Sequence, residues 1–345
     1  MNDRYSRNKT RRKNRLYKSR KAMGYKAMGY KAMRRKVMSY KAMSYKAMGK
    51  KTIKNKISGG EKAAFKTAQC APKANDELNK YTCYSEADLK KMKDLWNARH
   101  RDMPISDTIP RDIWNSLKNK MENACHTEAC WLKQKFMDNN LADELLSYTF
   151  APKSPDKWKE NHNTWLNSTD IEKVMKQYEH TYKCFRFIGP TPIDFDTHIY
   201  DDKCVWDELC NFDLSKHLKD GVNKIGIIFN TDPHTKGGAH WISLFINIKK
   251  KFIFFFDSNG TEMPKQIKVF CDRVISQAAD LNIQLKLDQN APFAHQEGNT
   301  ECGMYSLYLI VTLLRDAHNY TFFKNTKISD AAMEKMRDKY FNPML

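Results

Sequence analysis

The sequence predicts an α+β fold behind a basic tail, and three observations predict it. Charge is segregated: residues 1–75 hold 24 Lys+Arg against two acids, Asp3 and Glu61. That leaves 36 basic and 38 acidic side chains for the other 270 residues of the 345-residue chain. Apolar residues within 85–150 recur at helical spacing, whereas from 223 onward they gather into short runs of strand length. A last apolar segment, Cys302–Leu314, is hydrophobic nearly all round, as expected of a helix buried inside a folded body. The expected organisation is a disordered basic tail over 1–60, a mainly helical region over 61–150 and a folded body over 151–345.

The tail contains an imperfect pentapeptide repeat over 21–50, KAMGY, KAMGY, KAMRR, KVMSY, KAMSY, KAMGK. A five-residue period advances about 140° per repeat on a helix. The Met residues therefore wind around the axis and form no apolar stripe, so the segment is expected to be disordered when alone. Regular cations interleaved with Tyr suit nucleic acid, because Lys and Arg meet phosphates and Tyr stacks on bases. Residues 1–58 are the expected nucleic-acid contact; acidic proteins or anionic membrane surfaces are the competing partners.

Ser85-Glu86-Ala87-Asp88 opens an apolar-periodic run, and Ile113, Leu117 and Met121 repeat at helical spacing. Further on, Ile225–Phe229, Trp241–Ile248 and Phe252–Phe256 read as strands, the last two joined by Lys249-Lys250-Lys251 as a buried hairpin. Pro264 begins an amphipathic helix bearing Ile267, Cys271, Val274 and Ala278. Leu281, Ile283, Leu285 and Leu287 alternate with other residues as a half-buried strand does. Asn299 and Thr300 stand ready to cap the helix that begins near Cys302.

Nine cysteines, an odd number without framework spacing, predict reduced thiols in a cytosol-like compartment. Cys125, His126 and Cys130 imitate a metal site, but no second ligand pair follows, so buried thiols are expected there and at Cys204 and Cys210. No cofactor or metal is expected. No signal peptide and no apolar run of membrane-spanning length is evident, so a soluble protein without membrane insertion is expected.

The chemistry concentrates in four residues. His240 stands at the entrance of one hairpin strand and Asp257 at the exit of its antiparallel partner, which places both at one end of the sheet. Cys302 starts the apolar helix, where the positive end of the macrodipole favours a thiolate. Gln296 lies in the loop feeding that helix, with its amide in reach of the nucleophile. Together they supply a thiol, a base, a group to orient the base and an oxyanion donor, the set that acyl transfer requires. Taken singly, each has a bland structural reading: a core His, a turn Asp, an inert buried Cys.

The segments GAHWISLF, FFFDSNG and HQEGNTECGMY resemble the SUMO-protease superfamily of cysteine peptidases and its relatives in adenoviruses and large DNA viruses. The seventeen-residue His-to-Asp interval, the six-residue Gln-to-Cys interval and the order His, Asp, Cys agree with that pattern. KIGIIFNTDPHTKGGAHW and ISDAAMEKMRDKYFNP look closer still to the virion thiol proteases of nucleocytoplasmic large DNA viruses. The resemblance implies a papain-like α+β peptidase over 151–345, with a central mixed sheet flanked by helices. It implies Cys302 as nucleophile, His240 as base and acid, Asp257 as its orienting group, and Gln296 with the Cys302 N–H as oxyanion hole. Trp165, in WLNSTDI, and Trp241 resemble the two Trp residues that clamp a Gly-Gly segment, where only Gly lacks a clashing Cβ.

The implied activity is cleavage of viral structural or core polyproteins after Gly-Gly-Xaa sites during virion maturation, in virions and host-cell factories. An isopeptidase acting on SUMO-like or ubiquitin-like modifiers is one alternative. A nucleic-acid-binding virion core protein with a vestigial protease fold is the other. Ser168 replaces the Asp that follows WLN in SUMO proteases, which argues against SUMO itself. Some viral relatives use Asn as the third triad member, which makes Asn259 a rival of Asp257. Gly59-Gly60-Glu61 matches the implied consensus, so Gly60 is a candidate self-cleavage site; Gly237-Gly238 reads as a turn framing His240.

Overall fold

The structure, a computed structural model, describes residues 65–66, 68–74, 81–200 and 203–345. The repeat tail and Gly59-Gly60 lie outside these residues.

Four helices lie between residues 86 and 149. Helix α1 (Glu86–Arg99) begins at Ser85, whose hydroxyl accepts the Asp88 N–H while the Asp88 carboxylate accepts the Ser85 N–H. Helices α2 (Pro110–Lys120), α3 (Glu128–Trp131) and α4 (Asn139–Thr149) follow. These helices close over a core of their own that includes Leu89, Trp96, Ile113, Leu117, Trp131 and Phe150. Gln177 ties this layer to the rest, its amide donating to the carbonyls of Ser147 and Phe150.

The body begins with α5 (Ser168–Thr181) and strand β1 (Phe185–Pro192). A small hairpin, β2 (His198–Tyr200) and β3 (Lys203–Cys204), leads to α6 (Asp207–Cys210) and α7 (Leu214–Lys219). Then come β4 (Lys224–Asn230), β5 (Trp241–Asn247), β6 (Phe252–Phe256), α8 (Lys265–Asp280) and β7 (Lys286–Gln289). Helices α9 (Cys302–Leu314), α10 (Phe322–Asn325) and α11 (Asp330–Tyr340) complete the chain. The sheet runs β1-β4-β5-β6-β7 and is mixed: β5 is antiparallel to both β4 and β6, and β1 and β7 join the two edges in parallel.

Both faces of the sheet are covered, which explains why its inner strands are apolar without interruption. Phe252, Phe254 and Phe256 point to the side covered by α5, α9 and α11. Ile253 and Phe255 point to the side covered by α8. Gly226 permits the first packing, since a Cβ there comes within 2.8 Å of Ile310 on α9.

Three expectations need correction. The alternating run from Leu281 is a strand only over Lys286–Gln289; Asn282 adopts a left-handed backbone conformation, so the chain turns there first. Helix α9 starts at the expected residue but is not capped by Asn299 or Thr300: its N-cap is Glu301, whose side chain is engaged elsewhere. Six of the nine cysteines are paired, as Cys70–Cys83, Cys125–Cys130 and Cys204–Cys210. Their Cα atoms lie 5.2, 5.5 and 6.2 Å apart, within disulfide reach, a proximity that spacing along the chain does not reveal. Cys184, Cys271 and Cys302 are free.

Candidate active site

The register of the β5–β6 hairpin builds the site. Ser243 pairs with Phe256, so His240, one residue before β5, and Asp257, one residue after β6, emerge at the same end of the sheet. His240 Nε2 lies 2.7 Å from Asp257 Oδ1, a contact that fixes the Nε2–H tautomer and leaves Nδ1 to face elsewhere. The Cys302 thiol, at the first residue of α9, acts on the same ring. Burial works against the imidazolium, but the hydrogen bond to Asp257 and the influence of Cys302 outweigh it and raise the His240 pKa to about 9. The arrangement therefore favours the protonated ring that results when the thiol gives up its proton.

Asp257 is buried and tightly held. Its N–H donates to Asn290 Oδ1, its carbonyl accepts from Asn290 Nδ2, and its carboxylate accepts the Asn259 N–H at 2.8 Å. The Asn259 amide nitrogen stands 3.4 Å from His240 Nε2, farther than the Asp257 carboxylate, and it carries no charge with which to stabilise an imidazolium. Asn259 thus orients Asp257 through its backbone.

Gln296 is pinned by the residue after Asp257. The Ser258 hydroxyl donates to Gln296 Oε1 at 2.8 Å, and the Ser258 carbonyl accepts the N–H groups of His295 and Gln296. The Gly298 carbonyl, which can only accept, fixes which end of the amide is the donor. One Nε2–H reaches the Gly298 carbonyl, and the other has no partner among the described residues. The loop itself is held by Asp330 at the start of α11, whose carboxylate accepts from the backbone of Glu297 and Gly298 and from the Tyr305 hydroxyl.

Trp241 and Leu166 pack against the start of α9. Trp241 Nε1 donates to the Leu166 carbonyl at 2.9 Å. A Cβ on Gly303 comes 3.1 Å from Leu166 and 3.3 Å from the Trp241 ring, so the glycine beside the thiol lets these three segments close together. Trp165, next to Leu166 in the chain, is a large apolar side chain left 43% exposed. Gly238, ahead of His240, has φ +91°, and a Cβ there meets the Asn230 side chain at 2.7 Å, consistent with a turn that frames the histidine.

Sequence reasoning missed one interaction here. Arg337 and Glu301 form a fully buried ion pair, with Nη2 and Nε of the guanidinium donating to the two carboxylate oxygens at 2.7 and 3.0 Å. The same guanidinium donates to the Thr164 and Thr300 carbonyls and lies over the Trp158 ring. Nothing in the local sequence distinguishes Arg337 from the exposed Arg and Lys residues around it.

Residues 159–344 match the Ulp1 protease family, C-terminal catalytic domain. The chain is 27% identical over 294 residues to a protein described as a thiol protease of Acanthamoeba polyphaga mimivirus, covering 79% of this chain and 92% of that one. It is 27% identical over 259 residues to the cysteine protease S273R of African swine fever virus, covering 70% of this chain and 92% of the relative. The fold is similar to the crystal structure of the ASFV pS273R protease, with a TM-score of 0.56 at 23% identity over 79% of this chain and 95% of that one. The chain belongs to the Ulp1 protease family and is a cysteine peptidase; the expected sheet flanked by helices is the fold of that family.

Removing one partner of a buried ion pair typically costs about 3–5 kcal/mol, because the other charge is left in a poor solvent. Glu301→Gln is expected to lower the free energy of unfolding in urea by about that much, and Glu301→Leu with Arg337→Met to recover most of it. A Glu301→Gln protein as stable as wild type contradicts the account.

Proposed function

We propose that this member of the Ulp1 protease family is a viral endopeptidase that cleaves structural or core polyproteins after Gly-Gly during virion maturation. The observation that carries the reading is the His240–Asp257 pair with the Cys302 thiol acting on the same ring, together with a Gln296 amide whose donor end is fixed. Cys302 is the nucleophile. His240 takes its proton and Asp257 stabilises the imidazolium. The thiolate attacks the glycyl carbonyl, and the oxyanion is met by Gln296 and the Cys302 N–H at the positive end of α9. His240 returns the proton to the leaving amine, and water releases the acyl-enzyme. Trp241 packed against Gly303 and Leu166, with the exposed Trp165 next in the chain, supports a narrow approach that only glycines pass. The proposed setting is the virion and the host-cell factory that assembles it.

Cys302→Ala and His240→Ala are expected to abolish turnover, and Gln296→Ala to lower kcat by about two to three orders of magnitude. The raised His240 pKa places the loss of the imidazolium, and with it the general acid, near pH 9. In Asp257→Asn the alkaline limb of kcat/KM moves to lower pH, because removal of the carboxylate charge lowers the His240 pKa; in Asn259→Ala it stays in place. A limb that shifts only in Asn259→Ala reassigns the third member to Asn259.

An isopeptidase reading is also supported, since several African swine fever virus relatives carry the name "SUMO-1 cysteine protease". A panel of Gly-Gly-Xaa peptides, Ala-substituted peptides and modifier conjugates separates the two. Endopeptidase action predicts turnover of the Gly-Gly peptides with loss on Gly→Ala; conjugate cleavage alone selects the isopeptidase. Intact mass of the wild type against Cys302→Ala tests the Gly59-Gly60 site in the same experiment, and a wild-type chain still starting at Met1 removes self-processing.

The basic tail is proposed to hold the enzyme on packaged nucleic acid near its substrates. Deleting residues 1–58 is expected to abolish a DNA affinity that falls steeply with salt. Equal affinity of the truncated and full chains contradicts this role.

A further inference from the structure

Between β1 and β4 the chain brings together three metal-ligating side chains that the peptidase chemistry does not use. His198 opposes Cys204 across the β2–β3 hairpin, and Cys210 ends the short helix α6 that follows. His198 Nε2 lies 3.7 Å from Cys204 Sγ, and the ligand atoms of His198, Cys204 and Cys210 all fall within 4.8 Å of one another. Among the described residues no other group of three His, Cys, Asp or Glu side chains meets this condition.

Backbone contacts hold these residues in place independently of the sulfur–sulfur bond. The N–H of Cys204 donates to the Asp207 carboxylate, that of Cys210 to the Trp206 carbonyl, and those of Val205 and Trp206 to the carbonyls of Thr197 and Phe195. Opening the disulfide therefore leaves two sulfurs and an imidazole nitrogen converging on one point. Zn²⁺ binds thiolate sulfur at about 2.3 Å and imidazole nitrogen at about 2.0–2.1 Å. Tetrahedral angles then put adjacent ligand atoms about 3.5–3.8 Å apart, which is the His198–Cys204 separation found here. His198 is exposed and Cys204 buried, so one side of the group opens to solvent. The Cys125–Cys130 pair is different: its sulfurs are approached by the Gln134 amide.

We propose that the Cys204–Cys210 pair and His198 form a redox-gated zinc site. In the oxidised state the disulfide joins the hairpin to α6. Two equivalents of a small-molecule thiol supply two electrons, leave as their own disulfide and convert the pair to two thiols. A Zn²⁺ ion then displaces two protons and binds both thiolates and His198, with water in the fourth position. The hairpin is thus tethered in either compartment, by a covalent bond where disulfides persist and by a metal where they do not.

The test uses the full chain carrying Cys302→Ser, which removes the nucleophile as a rival ligand. After reduction with a phosphine and buffer exchange without oxygen, Co²⁺ is titrated in and the spectrum recorded. Sulfur-to-cobalt charge-transfer bands, with the intense visible bands of a tetrahedral ion, are expected to saturate at one equivalent and to vanish on addition of Zn²⁺. Cys204→Ser with Cys210→Ser is expected to abolish the bands although the other cysteine pairs are equally reduced. His198→Ala is expected to weaken Co²⁺ binding by more than about tenfold, the smallest loss usually seen when even an outer-shell partner is removed. The disulfide form is expected to bind none. Reduced protein without charge-transfer bands, bands that survive in the double-serine protein, or undiminished affinity in His198→Ala each overturn the proposal.

Discussion

A guanidinium and a carboxylate withdrawn from water must be placed against each other, since either charge alone in the interior is destabilised by several kcal/mol. Arg337 and Glu301 meet that requirement at the point where three segments converge. Glu301 immediately precedes the thiol. Arg337 lies on α11, whose first residue, Asp330, holds the loop carrying Gln296. The Thr164 carbonyl bound by the guanidinium begins the segment that carries Trp165. Helix α9 is apolar nearly all round, so few polar contacts set its rotation or its start: the Tyr305 hydroxyl on Asp330 is one, and the ion pair beside it is another. The ion pair also explains why Glu301, with its carboxylate already committed, occupies the N-cap position without capping.

The remainder of the site hangs from the sheet. Five consecutive aromatic or aliphatic residues in β6 are buried because both faces are covered, and that burial fixes the register that aligns His240 with Asp257. Polar side chains then refine the alignment: Asn290 clamps the Asp257 backbone, Ser258 fixes the Gln296 amide, and the Asn259 N–H occupies the Asp257 carboxylate. Adjacent residues of one turn, Asp257-Ser258-Asn259, thus hold His240, Gln296 and each other.

What was legible in the sequence follows from this division. Strands β4, β5 and β6 and helices α8 and α9 announce themselves through apolar runs or helical periodicity, and the site residues at their ends could be placed by counting. Strand β1 was not seen: Gly189, Pro190 and Pro192 interrupt it, yet it pairs in parallel with β4. Ser258, Asn290, Asp330, Glu301 and Arg337 were not seen as a group, because a buried polar residue reads as a surface residue until its partner in space is known. The motif containing Asp330 and Arg337 drew notice through family likeness alone. The disulfides were hidden for the same reason, since cysteine spacing carries no information about Cα separation.

The proposed Gly-Gly specificity depends on rigidity as much as on shape. A clamp of two aromatic rings rejects a Cβ only if neither ring can move aside. Trp241 is tied through its indole N–H to the Leu166 carbonyl, and the Thr164 carbonyl is bound by Arg337. The backbone on both sides of Trp165 is therefore anchored, and its exposed ring sits on a segment with little freedom to yield. Gly303 allows Leu166 and Trp241 to pack directly against the first turn of α9, so the proposed clamp and the Cys302 thiol share one frame. Selectivity built this way excludes larger residues by steric clash and asks little of direct attraction to glycine, which has no side chain to recognise.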